Sequence, residues 1–299
     1  MGIPIMTSSF IRSIIKNILP KPIVHFIGMF LHRGFRPQLR YLINTPIYKH
    51  RFKKLMNGLS EPQIAIYPGG VLEVHPDARK TFEPFTHQDA ELVEEMDAFM
   101  KLTADKYCLL DIGAHYGIFS LAFTGRPHSV AFALDPSSSA YEMLCYHQKA
   151  NPDHNLKPFL LALGDSEGKL RMQSSWTYLV ALPLNTSTNE DSFEVKITTI
   201  DSFIEQQGIV PDAIKIDVEG FEINVLKGGS NLLTQNDPII FLEVHTPILP
   251  RFGNSVKEVV EIINSYGYNL YDGRGNLIKK PSQFFGHAIR RVICSKNSL

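Results

Sequence analysis

The chain has 299 residues, with 30 Lys plus Arg against 30 Asp plus Glu and a formal net charge of zero. Its 44% hydrophobic and 20% charged residues exclude a disordered chain and a fibrous repeat, leaving one large globular domain or a domain with an appendage. The neutrality is a sum over unlike parts: residues 1–60 hold ten basic side chains and no acidic one, which leaves 20 basic and 30 acidic for residues 61–299.

Within residues 8–31, Phe10, Ile14, Ile15, Ile18 and Leu19 recur at helical spacing, with Arg12 and Lys16 at other angles, until Pro20 and Pro22 end the turn. Such a basic amphipathic helix can lie on an anionic membrane surface, or pack on its own domain with a solvated basic rim. Surface contact through residues 8–31 is the favoured reading. Arg12, Lys16 and Lys21 interrupt the apolar stretch before it reaches the roughly 18 residues of a bilayer-crossing helix, so neither a transmembrane helix nor a cleaved signal is expected. Cys108, Cys145 and Cys294 form no CxxC and fit a reducing cytoplasm, with the inner membrane surface as the place of any peripheral contact.

Residues 64–75, IAIYPGGVLEVH, read as a hairpin turned at Pro68-Gly69-Gly70. A helix is expected over 88–102, where Leu92, Met96 and Phe99 share a face. From there short apolar strands alternate with helices: strands at 107–112, 129–134, 157–163, 213–218 and 239–245, with helices from 117, over 138–150, 221–235 and 255–266. That alternation predicts βαβ units, a parallel sheet with helices on both faces, and a functional site at the carboxyl ends of the strands. Residues 169–200 interrupt it as an inserted hairpin carrying Trp176 and Tyr178, and the last segment gives strands turned at Gly273 to Gly275. The expected organisation is a basic N-terminal segment (1–60), a hairpin and connector (61–87) and a catalytic domain (88–299).

At the end of the first strand, Asp111-Ile-Gly113-Ala114-His115-Tyr116-Gly117 opens a helix, and glycine there lets the backbone and free helix-start amides approach a ligand. A dinucleotide site wants GxGxxG, but this frame puts His115 and Ile118 at the second and third glycines, which obstructs a pyrophosphate. S-adenosylmethionine has no pyrophosphate, and DxGxxxG suits its amino acid portion. Asp135, ending the second strand, can accept both ribose hydroxyls or cap the next helix before Ser137. Asp217 and Glu219 end the fourth strand, and Glu243 and His245 the fifth. Residues two apart on a strand share a face, so these four side chains converge if the strands are neighbours. The plainer account has Glu219 and Glu222 complement the following helix and Glu243 pair with His245.

DIGAHYG, the Asp135-Pro136 strand end, LALGD (161–165), TTIDSF (198–203), KIDVEGFEINVLKGG (215–229) and FLEVH (241–245) occur in the order that resembles the FkbM-type methyltransferases. The resemblance implies a class I, Rossmann-like methyltransferase fold: a seven-stranded, mostly parallel sheet with an antiparallel last strand and helices on both faces, here with a basic N-terminal helical appendage. It implies O-methyl transfer from S-adenosylmethionine to a hydroxyl, often of a sugar, glycan or natural product. Asp111, Gly113, Ala114 and Gly117 match the cofactor loop, with His115 where Asn is common; Asp135 matches the ribose carboxylate, and Leu163 with Gly164 the strand beside adenine. Asp217 and Glu219 match the active-site signature.

Methyl transfer to an alcohol is helped by in-line positioning and by a base in reach of the hydroxyl proton, here His245 or Asp217. A variant of the mechanism adds a magnesium-like divalent cation held by Asp217, Glu219 and Glu243 to acidify the hydroxyl, and is not favoured. Trp176 and Tyr178 offer flat faces to a sugar ring, or fill core. Two rival functions remain: a non-catalytic scaffold docked to a membrane or anionic polymer, and a nucleic-acid methyltransferase, disfavoured because the N-terminal cations are interleaved with Ile, Leu and Phe while the catalytic domain is acidic.

Overall fold

A computed structural model describes residues 63–66, 70–85, 89–175, 178–181 and 192–299. The expected amphipathic helix over 8–31, the whole basic segment 1–60 and Trp176 lie outside the described residues. Among the described residues, no helix is long and apolar enough to cross a membrane. The chain divides into two compact units, the second beginning at Glu94.

In the first unit, β1 (Gln63–Ile66) and β2 (Gly70–Glu73) pair antiparallel with Ile64 opposite Leu72, both buried. The following residues, expected to be a connector, form helix α1 (Pro76–Glu83) instead. Pro76 sits in its first turn, where a missing amide proton costs nothing, and His75 caps it by accepting the Asp77 amide at 3.2 Å. Ala78 and Phe82, four apart, are its buried stripe. Helix α2 (Ala90–Leu102) starts where the Asp89 carboxylate accepts the amides of Glu91 and Leu92.

The second unit is built on β3 (Cys108–Ile112), β4 (Val130–Asp135), β5 (Leu156–Leu160), β10 (Ala213–Ile216), β11 (Ile239–His245), β12 (Asn269–Tyr271), β13 (Leu277–Ile278) and β14 (Ile289–Ser295). They form an eight-stranded sheet in the order β13-β12-β14-β11-β10-β3-β4-β5. β5, β4, β3, β10 and β11 are mutually parallel, and β14 runs antiparallel between β11 and β12. The antiparallel last strand is as expected; the eighth strand is β13, which the Asp272 turn folds back onto β12 by accepting the amides of Arg274 and Asn276. Chain order runs outward from β3 in one direction and resumes at β10 in the other, so a topological switch point lies between β3 and β10.

The apolar runs that made the strands legible are buried on both faces, as a parallel sheet requires. Leu110, Ile112, Ile214, Ile216, Ile240 and Leu242 pack with Phe203 of α5 (Ile200–Gln207), Ile223 and Leu226 of α6 (Glu222–Gly228), Leu232 of α7 (Ser230–Gln235) and Val259 and Ile263 of α8 (Val256–Ser265). The opposite face carries Phe241, which meets Phe99 of α2 edge-on at 5.0 Å, and Phe99 meets Phe119 of α3 (Ile118–Thr124) at the same distance. Helix α4 (Ser138–Ala150) begins with Ser137 capping the Ala140 amide. The helix expected over 221–235 is broken at Gly229 into α6 and α7.

Two expectations about residues 157–200 change. The run 157–163 is not one strand: it leaves the main sheet after Leu160, and Ala162–Leu163 becomes β6 of a second sheet. The insertion is not a lone hairpin either. β7 (Gly168–Ser175), β8 (Tyr178–Ala181) and β9 (Ser192–Thr198) join β6 in a four-stranded sheet of order β6-β9-β7-β8, within which β7 and β9 pair as Lys169 opposite Lys196. The exposed Lys169 and Glu194 side chains pair across these strands at 2.8 Å.

Candidate active site

The switch point brings the ends of β3 and β10 side by side, and their ladder continues one residue further through the Asp217 amide to the Ile112 carbonyl, at 2.9 Å. Gly113 has a φ of 76°, and a Cβ there would stand 1.8 Å from the Asp217 carbonyl oxygen. Only glycine lets the first loop cross the end of β10. Four amides of the loop are engaged within the fold. Those of Gly113 and Ala114 both reach the Leu134 carbonyl, that of His115 donates to Asp135 Oδ2 at 2.9 Å, and that of Gly117 to the Ala114 carbonyl. His115 holds a φ of 49°, uncommon for a residue with a side chain, and stacks on Tyr116 with ring centroids 3.8 Å apart.

Asp135 accepts the His115 amide on one oxygen and the Ser137 amide on the other, both at 2.9 Å, and so clamps the glycine loop to the end of β4. Each oxygen keeps a second lone pair. Burial pushes its carboxyl up to about 6 against the pull of these two amides. Asp111 is buried beneath the loop, where it accepts the Ser120 hydroxyl at 2.6 Å, and burial raises it to about 6 as well. Leu163 and Gly164 go to the second sheet: Leu163 is core, and Gly164 is where α6 closes, since a Cβ on Gly228 would lie 1.8 Å from the Gly164 carbonyl oxygen.

Beyond the loop, β10 and β11 are neighbours, as the convergence of their acids requires. Lys215, Asp217, Glu243 and His245 share the face that carries Phe119. Lys215, only 2% exposed, is the hub: its ammonium lies 2.8 Å from Glu243, 3.7 Å from Glu95 and 3.9 Å from Asp217, and 5.0 Å above the Phe119 ring. Arg291, opposite Glu243 on β14, reaches Glu95 at 2.8 Å and Glu243 at 3.3 Å. Burial would raise Glu243, but Lys215 and Arg291 override it and hold its carboxyl down at about 2. Glu95, shared less closely with Lys215, is pushed up by burial to about 7. Glu243 therefore pairs with Lys215 and Arg291, not with His245 as the plainer account supposed.

His245 is held from the other side. Its Nδ1 lies 2.8 Å from Glu222 Oε1, which also accepts the His245 and Gly220 amides. Its Nε2 faces Glu219 at 3.5 Å and Asp217 at 3.6 Å. Burial would lower the imidazole, but the Glu222 bond and the Asp217 and Glu219 charges raise it to about 9. An imidazole raised in this way favours its protonated form, with Nε2 turned to the two carboxylates. Asp217 and Glu219 are both raised by burial, against the pull of their cationic neighbours, which makes them better proton acceptors than ordinary carboxylates. Glu219 and Gly220 are both left-handed, with φ of 51° and 97°, and this turn directs Glu219 back over His245.

One ligand atom each of Asp217, Glu243 and His245 lies within 4.8 Å of the others, so these three are grouped closely enough for a cation, rather than the expected Asp217, Glu219 and Glu243. The donor set fits a metal poorly, because Glu243 is engaged by Lys215 and Arg291 and the His245 ring is held at Nδ1 by Glu222. The cluster already contains its positive charge.

Sequence reasoning passed over Lys215, Glu95, Arg291 and the role of Glu222. A signal for Lys215 was present: a lysine inside the otherwise apolar strand AIKI is buried at a cost unless acids meet it. Of Tyr178 the structure describes the backbone, paired with Ser175.

The strand order, the antiparallel strand between β11 and β12, and the acidic strand ends at the switch point define a class I methyltransferase fold. Residues 111–270, just over half of the chain, match the methyltransferase FkbM domain, and the chain belongs to that family. A curated relative, hexuronic acid methyltransferase AglP of Haloferax volcanii, is 26% identical over 144 residues, covering 48% of this chain and 58% of the relative. Solved structures that it resembles include the FkbM methyltransferase of Methylobacillus flagellatus KT (TM-score 0.40, 15% identity, 64% of this chain and 44% of that one). Another is TYW2 of M. jannaschii in complex with AdoMet (TM-score 0.40, 13% identity, 79% of this chain and 85% of that one). The chain thus spans less than two thirds of the length of AglP and of the first of these structures.

Proposed function

We propose that the protein transfers a methyl group from S-adenosylmethionine to a hydroxyl oxygen of a sugar or glycan acceptor. The observation that carries this reading is the pairing, at one switch point, of a glycine loop clamped by Asp135 with raised carboxylates at Asp217 and Glu219 beside a protonated His245. The remaining lone pairs of Asp135 suit ribose hydroxyls, and the loop from Gly113 to Gly117 suits the amino acid portion. The cofactor supplies an electrophilic methyl, so the protein has to position the acceptor and take up one proton.

Asp217, the more exposed of the two carboxylates, receives the hydroxyl proton, with Glu219 as its neighbour. His245 Nε2 stands between them, 3.5 Å from Glu219 and 3.6 Å from Asp217, and its positive charge offsets their mutual repulsion. The raised basicity of both groups brings them nearer the working pH, where a general base is most effective. The name of the curated relative supports a sugar acid or a related saccharide as acceptor. Trp176 and Tyr178 are proposed to stack on its rings, and the acid-free first 60 residues to dock on an anionic membrane surface near it.

The test is transfer of label from methyl-labelled S-adenosylmethionine to uronic acid-containing and neutral glycans, with the linkage of the product determined. Methylation at oxygen, lost in Asp217→Ala with cofactor affinity intact, is expected. Cofactor binding without transfer to any hydroxyl acceptor would overturn the reading.

A further inference from the structure

Glu222 is fully buried at the start of α6, yet it is not arranged as an ordinary helix-terminus acid. One of its oxygens gathers three donors: the Gly220 amide at 3.1 Å, the His245 amide at 3.2 Å and the His245 ring Nδ1 at 2.8 Å. Its other oxygen is buried without a hydrogen-bond partner. A buried carboxylate oxygen left in that state is costly, and a smaller polar residue could satisfy the Gly220 amide without it. What the carboxylate uniquely does is grip both the backbone and the ring of one residue on the neighbouring strand. Because a carboxylate only accepts, the proton between the two must sit on Nδ1, which leaves Nε2 aimed at Glu219 and Asp217.

We propose that Glu222 is a positioning residue of the methyl-transfer reaction: by holding the ring and amide of His245 it fixes Nε2 between Asp217 and Glu219, and it acts only through His245. The Glu219-Gly220 turn completes the device, since its two left-handed residues bring Glu222 and Glu219 to opposite nitrogens of the same ring. The inference rests on the methyl-transfer reading for its kinetic consequence, but the clamp itself is independent of that reading.

Two measurements separate them. In protein labelled with nitrogen-15 histidine, the wild type and Glu222→Gln, which keeps an acceptor oxygen, are expected to hold a slowly exchanging proton on His245 Nδ1, and Glu222→Ala to lose it. No such proton in the wild type overturns the clamp whether or not methyl transfer occurs. In turnover, Glu222→Ala is expected to lower kcat by about 10–100-fold, the range for removing a residue that orients a functional histidine. The Kd of S-adenosylmethionine should change little, and Glu222→Gln should recover most of the rate. In a His245→Ala background the Glu222→Ala change should have no further effect; an undiminished further loss there overturns the proposal. Should Glu222→Ala fail to fold, Glu222→Asp, which withdraws the oxygen by one methylene, carries the same comparison. A wild type that holds the Nδ1 proton but transfers no methyl would sink the functional reading and leave the clamp standing.

Discussion

The two strand ends that meet at the switch point bury their acids by different means. At the ends of β3 and β4, Asp111 and Asp135 accept from neutral donors, a serine hydroxyl and the His115 and Ser137 amides, and burial raises both to about 6. At the ends of β10 and β11, Glu243 and Asp217 meet full charges, Lys215, Arg291 and an imidazolium, and the protonation states spread from about 2 for Glu243 to about 9 for His245. Backbone amides cannot leave or change charge, so the first end is a rigid cradle suited to holding a cofactor. Side-chain charges respond to each other and to pH, so on the proposed function the proton is taken up at the second end.

Replacing the hub is the hardest blow to this contrast. Lys215→Met should leave Glu95 and Glu243 buried with Arg291 as the remaining cation, costing about 3–5 kcal/mol by urea denaturation; a near-neutral result would mean that the ion cluster is not what stabilises the end of β10. Gly113→Ala at the cradle should cost about 3 kcal/mol through its positive φ and the encroaching Asp217 carbonyl, and should abolish cofactor binding by calorimetry.

A pH series sharpens the comparison. His245 has a folded value near 9 against an ordinary 6.5, so its stabilisation is fully present below 6.5 and disappears as pH rises through 9, at most about 3 kcal/mol. Asp111 and Asp135 are also raised, from 3.8 to about 6, so their contribution fades earlier, as pH rises from 4 through 6. Glu95, raised from 4.5 to about 7, adds its own decline as pH rises from 4.5 through 7. Stability measured against pH should fall through these windows, and His245→Gln should erase the decline through 9. The smallest effect is expected from Ser120→Ala, which removes one hydroxyl from Asp111 at a cost of about 1–2 kcal/mol and should raise the Asp111 titration further.

The parallel core was legible because CLLDI, VAFALD, AIKI and IIFLEVH are apolar runs bounded by turns, and such runs have little to be but buried strands. Which strands would be neighbours followed from the alternation with helices, and the closeness of Asp217 to His245 followed from that. The second sheet was illegible because the break at Leu161 lies within an unbroken apolar run, KPFLLAL, where no residue type marks the change of partner. Helix α1 was missed although Pro76 announced it, being short and mostly polar. In the site, the residues that were read stand at strand ends in contiguous motifs. Of those passed over, Glu95 and Arg291 come from α2 and β14, and their chemistry exists only once distant segments are brought together, whereas Lys215 and Glu222 stood in a motif that was read for its other acids. Gly113 and Gly228 were read as turn or motif glycines; their actual work is to let one backbone pass against another.

The register of β14 carries one more consequence. Because Arg291 stands opposite Glu243 and Ile289 opposite His245, a slip of one residue would turn Arg291 to the other face of the sheet and put Arg290 or Val292 opposite Glu243. The pairing of Arg291 with Glu95 and Glu243 therefore depends on the alignment of β14 between β11 and β12. Without that strand, Glu95 and Glu243 would keep Lys215 but lose the second cation that reaches both of them, so the charge pattern at the ends of β10 and β11 is completed by the far end of the chain.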